Sequence, residues 1–593
     1  EKLNNLLDWA KSNGSYINEN LSFENVKDHG ISCIINDSLT KEDVSKGLIK
    51  IPQKLMLLPD QSIEFFQNEF PDVENKTYNK DIEMIFLLSK LKFDKQDETI
   101  VNGENLSEKF KPYIDYLPDN GIETGNPIFW NMEEKDLLDG TDAHIFMKRN
   151  FLKDLEDWKS IVSQLDIAKY PLLKDELLEY EAFKMGPNGG VAVNYLLNIK
   201  EISWTSFTAY LWSNCILKSR AFPFVMFDKE NNCAFLLPIV DLLNTDDEQK
   251  SRCKWEAETI DDDDDDDDDE YFVFKTLDPL EKLNKKCELY NNYGDKSNGE
   301  YLLNYGFCLK GNKYDSTTLS LKVDSSVIEG AKAYGVKIPK DSTLDSVNFV
   351  INKNSQLSDD LLNFFSYLVK LRSEKKGFTS RMKLEGLSQL KAIIKTKLKT
   401  IKQLDVTPSE KVTISHAKTI KIYRKSQKEI FQESLENIEK LEKKLILHVK
   451  PLSFKKAMAN DKTFFNAFLL VFGTRTYNDL IEKGILDHAV LLWIMRIANK
   501  EVYPLEEQSN FPSFILKEFE NVKKTVVIDN DDINEYLPLY ETLFPSLCKK
   551  IPAVFDRGNW TLNHLIFAAT VADRLTYKRE TNGEVFFIDP KGV

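Results

Sequence analysis

The fold is decided by Tyr290-Asn291-Asn292-Tyr293-Gly294-Asp295-Lys296-Ser297-Asn298, together with two stretches ahead of it and one behind it. The two ahead are Ser219-Arg220-Ala221-Phe222, after a Trp-containing helix predicted over 204–217, and Leu237-Pro238-Ile239-Val240-Asp241-Leu242-Leu243-Asn244. The one behind is Leu302-Leu303-Asn304-Tyr305-Gly306-Phe307. Taken singly, each has an ordinary explanation: a helix end that meets a strand, a core turn capped by asparagine, or a Tyr-Gly turn. Only their joint occurrence in this order indicates a function.

Length and composition predict a multidomain globular protein. The chain has 593 residues, which at roughly 100–200 residues per domain corresponds to three to four domains. Its apolar fraction of 42% and aromatic fraction of 11% suffice for sizeable cores and exclude a wholly disordered chain. The longest apolar runs, at 467–472 and 489–495, are far shorter than the roughly 20 residues of a membrane helix, and no apolar leader opens the sequence. We therefore expect a soluble protein.

The negative charge is concentrated in one run. The chain has 79 Lys and Arg against 95 Asp and Glu, a formal net charge of −16, and the run 261–270 contributes ten of these charges. Two interpretations stay open for the run: an insertion disordered by self-repulsion, or an acidic segment that attracts a Lys-rich substrate over a long range. The overall acidity disfavours generic nucleic-acid binding and favours a basic partner.

Cysteine and histidine patterns argue against a metal site. The six histidines include no HExxH motif and no pair at helical spacing, and the seven cysteines have no CxxC spacing. The cysteines lie at positions 33, 215, 233, 253, 287, 308 and 548. Because they are scattered and odd in number, no disulfide framework is expected, and the sequence predicts a reducing compartment: the cytosol, with the nucleus as second choice.

Hydrophobic periodicity predicts strands interrupted by helices, followed by a helical tail. An opening helix starts at residue 3 and breaks at Asn13-Gly14, and mixed strand and loop signals fill 310–355. The predicted strands are 30–35, 47–51, 221–227, 234–237 and 271–274, and the predicted helices include 81–91, 152–165, 382–404 and 414–449. This order is typical of an α+β fold with an all-α C-terminal domain.

A basic region spans residues 370–450, with 21 Lys and Arg against 9 Asp and Glu. It fits either a pair of solvated helices with i,i+4 charge pairs, or a face that meets RNA or an acidic protein surface. The sequence alone favours the solvated helices, because such charge patterns are the common surface of long helices.

The ordered SRAF, DLLN and NYG motifs resemble the SET-domain protein methyltransferases, and among them the branch of the Rubisco large-subunit methyltransferase. The opening fits this branch with Trp9-Ala10-Lys11-Ser12-Asn13-Gly14, the turn His29-Gly30-Ile31, and residues 47–52. The insert fits it with Lys111-Pro112-Tyr113, Leu117-Pro118, Pro127-Ile128-Phe129-Trp130 and residues 137–141. The resemblance covers about 3–310, and the helical region beyond is similar only in general character. The branch lacks zinc clusters, which agrees with the scattered cysteines.

The resemblance implies how the chain is divided. The fold class is α+β, a SET-domain β-fold with a helical insert, followed by an all-α substrate-binding domain. The parts are the SET domain at 1–55 and 191–310 with its acidic loop at 261–270, the helical insert at 56–190, a junction at 311–355, and the helical domain at 356–593.

The resemblance also implies a protein-lysine N-methyltransferase that uses S-adenosylmethionine. The acceptor lysine has an ordinary pKa near 10.4, so it must lose its proton before its nitrogen attacks the methyl carbon. An apolar, aromatic channel favours that loss because desolvation disfavours the ammonium form. Alignment of nitrogen, methyl and sulfur lowers the barrier, while carbonyl oxygens and a tyrosine hydroxyl stabilise the moving positive charge.

Site residues follow from the matching positions. Tyr293 would be the catalytic tyrosine, with its hydroxyl aimed at the transferred methyl group. The cofactor-binding residues would be His29, Gly30, Ile31, Asn244, Thr245, Tyr293 and Phe307. The walls of the substrate-lysine channel would be Ser219, Arg220, Phe222, Asp241 and Tyr305, and no metal is expected. For Arg220, Asp241 and Tyr305 the alternative is a buried salt bridge or satisfied hydrogen bonds.

Three departures from the family pattern affect the site. Thr245 stands where the family usually has histidine, and the cofactor turn keeps a single glycine, Gly30. The acidic run interrupts the stretch where an additional channel tyrosine is often found, with Trp255 as the nearest aromatic residue. A catalytically silent SET-fold protein that binds ribosomes therefore stays open as the alternative.

The resemblance suggests translation-related substrates. Fungal members of the branch modify ribosomal proteins, translation elongation factors or cytochrome c, and an animal member methylates a histidine. A ribosomal protein is expected first, because it is basic and suits an acidic rim, and an elongation factor second. We expect a monomer that contacts neither a membrane nor DNA directly.

Overall fold

The computed structural model describes residues 1–27, 29–178, 180–189, 202–260, 269–404 and 406–590. The chain forms two compact units. Unit 1 comprises Glu1–Thr318, Asn352–Asn354 and Lys399–Ile430, and unit 2 comprises Leu319–Ile351, Ser355–Leu398 and Phe431–Val593. The predicted helical domain, 356–593, differs from unit 2 because 399–430 belong to unit 1. The physical reason is that Ala417, Ile420 and Tyr423 are buried in one apolar cluster with Trp130 and Leu302.

Unit 1 combines short strands with helices. Its helices are α1 (Lys2–Ser12), α2 (Lys41–Lys46), α3 (Pro59–Glu69), α4 (Ile82–Phe93), α5 (Leu106–Lys109), α6 (Lys111–Tyr116), α7 (Met132–Asp136), α8 (Asp142–Val162), α9 (Leu173–Leu178), α10 (Tyr180–Phe183), α11 (Phe207–Arg220) and α12 (Asn298–Tyr305). Its strands are β1 (Tyr16–Ile17), β2 (Leu21–Val26), β3 (Gly30–Ile35), β4 (Ile49–Pro52), β5 (Ile100–Val101), β6 (Glu104–Asn105), β7 (Ala221–Pro223), β8 (Ala234–Leu236), β9 (Cys253–Ile260) and β10 (Asp269–Thr276).

The main sheet of unit 1 has the strand order β1-β4-β10-β9 and is antiparallel throughout. Further antiparallel pairs join β2 to β3, β5 to β6, and β7 to β8. In β4, Ile49 and Ile51 are buried while Lys50 between them pairs with Glu258, so successive side chains take opposite faces. β9 was missed in the sequence, although its Lys and Glu residues alternate with apolar ones.

The core of unit 1 is built on α4 and α11. Both helices are apolar around nearly their whole circumference, which is typical of a central helix. Ser89 of α4 and Ser213 of α11 are buried and lie 2.7 Å apart, oxygen to oxygen, so each hydroxyl has a partner at the helix contact. α11 is capped by Ser206, whose side chain accepts the N–H of Ala209, and it ends where β7 begins.

Unit 2 is largely helical. Its elements include strands β11 (Ser316–Lys322) and β12 (Ser346–Asn352) and helices α13 (Ser325–Tyr334), α14 (Asp359–Leu368), α15 (Ser380–Lys402) and α16 (Ile414–Val449), of which residues 316–318, 352, 399–402 and 414–430 count with unit 1. They continue with β13 (Leu452–Ser453), α17 (Phe454–Asn460), α18 (Lys462–Phe472), α19 (Tyr477–Glu482), α20 (Leu486–Ala498), α21 (Leu505–Gln508), α22 (Ser513–Thr525), α23 (Asn530–Leu543), α24 (Ser546–Lys550), α25 (Pro552–Phe555), α26 (Leu562–Leu575), β14 (Thr576–Lys578) and β15 (Val585–Phe587).

The prediction of an all-α C-terminal domain is wrong in one respect. β13, β15 and β14 form a three-stranded antiparallel sheet in unit 2. Val585 and Phe587 of β15 are buried in the same apolar cluster as Phe454 and Trp493, so the sheet covers the helical core. Strands of two or three residues are too short to produce a readable alternation in the sequence.

Most predicted elements are confirmed. The helix before Asn13, the strand 30–35, and the helices at 81–91, 382–404 and 414–449 appear within a few residues of their predicted ends. The run 221–227 is shorter than predicted: β7 stops at Pro223 and a 3-10 turn follows, since proline cannot extend the ladder. Of the acidic run, 261–268 lie outside the described residues, and Asp269 and Glu270 belong to β10.

Within the described ranges, every helix is either too short or too polar to cross a lipid bilayer.

Gly386 of α15 provides a stability prediction. A Cβ built on this buried glycine would lie 2.7 Å from Ser366 N and 2.9 Å from Phe365 C, both backbone atoms of the neighbouring helix α14. Although alanine is the better helix former by about 1 kcal/mol, we expect Gly386→Ala to destabilise the protein by about 1–3 kcal/mol through overpacking. Thermal unfolding measures the change. Gln389→Ala, at an exposed position of the same helix, is the control and should leave the midpoint within a degree or two; an increase for Gly386→Ala would contradict the close packing.

Candidate active site

The centre of the site is the extended segment 286–293, which lies between β3 and the turn at 241–245. On one side, Lys286 N donates to Ile35 O (2.7 Å), Ile35 N to Cys287 O (2.9 Å) and Leu289 N to Cys33 O (2.8 Å). On the other side, Asn291 N donates to Asn244 O (2.8 Å), and a parallel bridge pairs Thr245 with Asn291. Three stretches that are far apart in the sequence are thereby held together by backbone hydrogen bonds.

Asn244 ties these stretches together through its side chain. Its amide nitrogen donates to the backbone oxygen of Ile31 (2.9 Å) and to Glu288 Oε1 (2.8 Å), and it lies 3.4 Å from Ser32 Oγ. The amide N–H groups are therefore used on protein atoms. The structure places Asn244 at the predicted site, where it holds the 29–31 turn against segment 286–293.

The turn at 29–31 approaches this centre through its backbone. Gly30 has φ +76°, a conformation that favours glycine, and it starts the pairing of β3 with β2 opposite Val26. A Cβ built on Gly30 would meet no atom within 4 Å, so the space beside it is open among the described residues. His29 is exposed and its N–H bonds to Val26 O (3.0 Å), whereas Ile31 O accepts the Asn244 amide.

Tyr293 is half-buried with its ring stacked on Tyr305. The ring centroids are 4.8 Å apart at an interplanar angle of 16°, and the Tyr293 hydroxyl donates to Leu243 O (2.8 Å). Burial raises the pKa of the Tyr293 phenol above its ordinary value, while the charge of Arg220 lowers it in part. The phenol is therefore neutral at physiological pH, and its hydroxyl is fixed at the DLLN turn.

Tyr293, Tyr301, Tyr305 and Phe307 form what we call the aromatic wall. Tyr301 and Phe307 have ring centroids 5.2 Å apart, Tyr305 and Phe307 6.0 Å, and Tyr293 and Phe307 6.5 Å. Burial raises the pKa of Tyr305 to about 12, so this phenol also stays neutral. Tyr293, Tyr305 and Phe307 are half-buried beside the centre of the site, Tyr301 is buried behind them, and the wall contains three of the four predicted aromatic residues, all but Phe222.

The wall depends on α12, which is fixed at both ends. At its start, Ser297 accepts the N–H of Glu300, and the Glu300 side chain accepts the N–H of Ser297, a capping box. At its end, Gly306 has φ +79°, and a Cβ there would come within 2.6 Å of Gly125 O. Only glycine fits both requirements at that position.

Beneath α12 lies a network of buried polar side chains. Asn298 N donates to Asp315 Oδ1 (2.8 Å), and the Asn298 amide exchanges hydrogen bonds with the backbone of Leu309 (2.9 and 3.0 Å). Asn312 Nδ2 donates to Lys296 O (2.8 Å) and to Asn298 Oδ1 (3.2 Å). These bonds fix the KSN part of the motif, so it serves as a support for the tyrosines.

Arg220 and Asp241 form a buried ion pair. Arg220 Nη1 lies 3.1 Å from Asp241 Oδ2, and Tyr113 donates its hydroxyl to the same oxygen (2.9 Å). Burial raises the pKa of the Asp241 carboxyl, against the opposing effects of Arg220 and Tyr113. Asp241 Oδ1 is buried and has no hydrogen-bond partner among the residues that the structure describes. The pair corresponds to the alternative left open in the sequence: it fixes the end of α11 to the DLLN turn.

Ser219 and Phe222, the other predicted channel residues, are engaged within the protein. The Ser219 hydroxyl donates to Cys215 O (2.9 Å), one turn back in its own helix. Phe222 is buried against Trp255, with ring centroids 5.0 Å apart, and against Phe272 at 5.8 Å. Phe222 therefore belongs to the packed core behind the site.

Thr245 retains a link to the NYG segment. Its hydroxyl oxygen accepts the backbone N–H of Tyr293 at 3.4 Å, in addition to the bridge that its backbone makes to Asn291. A threonine hydroxyl can serve this purpose as a short acceptor. The departure from histidine is thus compatible with the local geometry of the two segments.

Three contributing residues were not predicted. Glu288 accepts the Asn244 amide, Tyr113 donates to Asp241, and Trp255 Nε1 donates to Asn291 Oδ1 at 3.1 Å. Trp255 could have been found from the alternating pattern of β9, which puts it on the same face as Cys253, between Lys254 and Glu256. Glu288 and Tyr113 carry no such signal, because their partners lie far away in the sequence.

Comparisons with known proteins identify the chain's relatives. A family model described as the EFM1 middle domain matches residues 316–449. The chain is 32% identical over 615 residues to the protein-lysine N-methyltransferase EFM1 of Saccharomyces cerevisiae, covering 100% of this chain and 98% of that protein. It is 28% identical over 577 residues to ribosomal lysine N-methyltransferase 1 of the same yeast, covering 90% and 91%. Ribosomal lysine N-methyltransferase set10 of Schizosaccharomyces pombe is 22% identical, covering 75% and 74%.

A solved structure shows the fold. The crystal structure of the SET domain of LSMT bound to lysine and AdoHcy matches with a TM-score of 0.50 at 16% identity, covering 75% of this chain and 92% of that one. The predicted fold class, a SET-domain α+β fold with a helical C-terminal region, is therefore confirmed, apart from the short sheet of unit 2.

Asn244 provides the prediction from this geometry. Asn244→Ala removes the hydrogen bonds to Ile31 O and to the Glu288 carboxylate, which we expect to cost about 1–3 kcal/mol of unfolding free energy. Asn244→Asp should cost more, because it sets a carboxylate against Glu288 and Ile31 O. Thermal or urea unfolding measures both. Asn5→Ala, at an exposed position of α1, is the matched control, and an Asn244→Asp variant as stable as the wild type would refute the contact.

Proposed function

The chain belongs to the family of the protein-lysine N-methyltransferase EFM1, and from this premise we propose that it transfers a methyl group from S-adenosylmethionine to a lysine of a ribosomal protein, with Tyr293 as the catalytic tyrosine. It is accordingly a protein-lysine N-methyltransferase with a SET-domain fold. The observation that carries the assignment of the site is the convergence of Gly30, Asn244 and Tyr293 with the aromatic wall.

The residues present fit a sulfonium cofactor. The space beside Gly30 is open, and Ile31 O and Leu243 O are carbonyl oxygens at the same centre. The rings of Tyr293, Tyr305 and Phe307 offer aromatic faces, and faces of this kind attract cations. When bound, S-adenosylmethionine supplies an electrophilic methyl group on a positively charged sulfur. The backbone of 29–31 and the aromatic wall are the groups that would hold it.

Tyr293 contributes a fixed, neutral oxygen. Because its O–H donates to Leu243 O, the proton points at the DLLN turn and the lone pairs of the phenol oxygen face away from that bond. A preorganised oxygen dipole of this kind stabilises positive charge that develops on a transferred methyl group. The stacked Tyr305 ring holds the Tyr293 ring in one orientation, so no reorganisation is needed during the reaction.

The aromatic wall also favours the uncharged form of the incoming lysine. An ammonium ion is strongly hydrated, and the loss of its hydration beside the wall costs more than its attraction to the rings returns, so the amine enters after losing its proton. Among the described residues of the site, the Tyr293 phenol is neutral and the Asp241 carboxylate is held by Arg220 and Tyr113. We therefore assign the loss of the proton to bulk solvent, before the amine reaches the wall.

The substrate class is inferred from the relatives. Two of the relatives are named as ribosomal lysine methyltransferases, and one of them covers 90% of this chain. A ribosomal protein is therefore the first candidate. A translation elongation factor is the second candidate. The relative that matches over the whole chain, EFM1, is not named for a ribosomal substrate, and neither is the middle-domain model.

One experiment separates the two candidates. Purified protein is incubated with tritiated S-adenosylmethionine and either salt-washed ribosomes or the post-ribosomal supernatant, and labelled bands are identified by peptide mass mapping. We expect a single methylated lysine in a ribosomal protein. A label confined to an elongation factor replaces the first candidate by the second, and no label in either fraction refutes translation-related substrates.

Tyr293→Phe tests the site directly. The variant keeps the stack on Tyr305 and loses only the hydroxyl, so we expect kcat to fall by about 10²–10³-fold with little change in the melting temperature. Tyr305→Phe, whose hydroxyl makes no hydrogen bond within the described part of the chain, should lose less than about tenfold. Tyr78→Phe at an exposed position is the neutral control. Unchanged kcat in Tyr293→Phe would exclude it as the catalytic tyrosine.

The pH profile tests the source of the proton. If the lysine loses its proton to solvent, kcat/KM should rise about tenfold per pH unit from pH 6.5 toward 9, because the uncharged fraction grows below the amine pKa. The rise should show no falling limb up to about pH 9.5, since the pKa of Tyr293 is raised and that of Tyr305 is about 12. A bell-shaped profile centred near neutrality would instead indicate an enzymatic base.

A further inference from the structure

We infer that the outer face of the first part of α16 is an RNA-binding surface. This face carries the lysine stripe, defined as Lys418, Lys421, Lys425 and Lys428. At 100° per residue the four positions fall within an arc of about 80° on the helix. Lys418, Lys421 and Lys425 are exposed and Lys428 is half-buried, so four positive charges project from one side of unit 1.

The opposite face of the same helix is anchored in unit 1, which fixes the direction of the stripe. Ala417, Ile420 and Tyr423 are buried in an apolar cluster with Leu302 of α12. Arg424 donates to Leu137 O (3.1 Å) and Asp139 O (2.9 Å), and Ser426 bonds to Asp315. Because the buried side packs under the helix of the aromatic wall, the stripe belongs to the same compact unit as the site.

The stripe is not neutralised by the protein. Lys418, Lys421 and Lys428 make neither an ion pair nor a side-chain hydrogen bond with any residue that the structure describes. Lys425 Nζ is 3.9 Å from Glu429, but that carboxylate lies nearer to Lys353, at 2.8 Å. By contrast Lys411, just ahead of α16, is paired with Glu133 at 3.1 Å. Solvated helix faces usually alternate in sign, and this one does not.

The chemistry of the stripe fits a phosphate backbone better than a carboxylate surface. Its cations are lysines, which act as point charges on flexible stems and can adjust to the regularly spaced charges of a phosphate backbone. The only arginine of this part of the helix, Arg424, is buried on the other face. No aromatic residue lies within the stripe, so contacts would be made to phosphates and would be independent of base sequence.

The RNA would be ribosomal RNA, and this part of the inference rests on the proposed function, in which the substrate is a ribosomal protein. A basic protein substrate is repelled by the lysine stripe, so the stripe and the aromatic wall must face different chemical components. A ribosome provides both, since its basic proteins are embedded in RNA. RNA binding is measured without methyl transfer, so either proposal can fail while the other stands.

The test is fluorescence anisotropy of the full chain with a fluorescein-labelled 20-nucleotide RNA hairpin, from 50 to 200 mM KCl. Lys418→Gln/Lys421→Gln/Lys425→Gln is compared with the matched control Lys95→Gln/Lys229→Gln/Lys285→Gln, three exposed lysines elsewhere in unit 1. We expect the stripe variant to bind at least tenfold more weakly at 50 mM KCl, and the slope of log K against log salt to shrink by about 2–3. The control variant loses the same number of charges, and its affinity for the RNA should stay within twofold of the wild-type affinity.

Two outcomes overturn the inference. One is equal weakening in the stripe variant and the control variant, which would reduce the binding to net charge. The other is a wild type that does not bind RNA but binds a labelled polyglutamate peptide, with that binding lost in the stripe variant. The partner would then be an acidic protein. Two controls exclude unfolding as the cause of weaker binding. Both triple variants should keep the wild-type melting temperature, and the single variant Lys421→Gln should have an intermediate affinity for RNA.

Discussion

The amide of Asn244 is the contact on which the candidate site depends. It bonds at once to Ile31 O, in the turn that opens β3, and to Glu288, in the segment that leads to Tyr293. Each of those segments also has backbone hydrogen bonds to its neighbour, and the Asn244 side chain hydrogen-bonds to both of them from the DLLN turn. The turn itself is held in a strained conformation, since buried Ile239 has φ +75°, which for a β-branched residue is costly.

A second support keeps the aromatic wall rigid. Buried Asn298 and Asn312 bond to each other and to backbone on three sides, and Asp315 accepts the N–H of Asn298. Burial raises the pKa of Asp315, which shows the cost of placing a carboxylate there. That cost is met by donors from Asn298, Ser316 and Ser426, so each oxygen is occupied. A wall built on such a network can hold a stacked pair of tyrosines in one geometry.

Much of this could be predicted from the sequence because it is local. The helices at 81–91 and 414–449 have clear periodicity, and the motifs around Asn244 and Tyr293 are contiguous. The roles of Glu288 and Tyr113 could not be predicted, since each is defined by a partner in a distant stretch. The channel residues show the same limit: Phe222 lies in the core and Ser219 bonds to its own helix, which a motif alone cannot reveal. The short strands β14 and β15 of unit 2 were not predicted for a third reason: each has only three residues.

The candidate site and the lysine stripe of unit 1 have opposite electrostatic properties. At the site, neutral phenols and carbonyl oxygens attract a cation without adding a formal negative charge, so an uncharged amine is not converted back to ammonium. On α16, positive charges are gathered on one face with Glu429 as the one acidic neighbour among the described residues, which suits a partner that brings many negative charges of its own. A helix can serve both surfaces because its buried face, with Tyr423 hydrogen-bonded to Asp142, is independent of its outer one. Recognition can therefore change through the outer lysines while the geometry of Tyr293 is preserved.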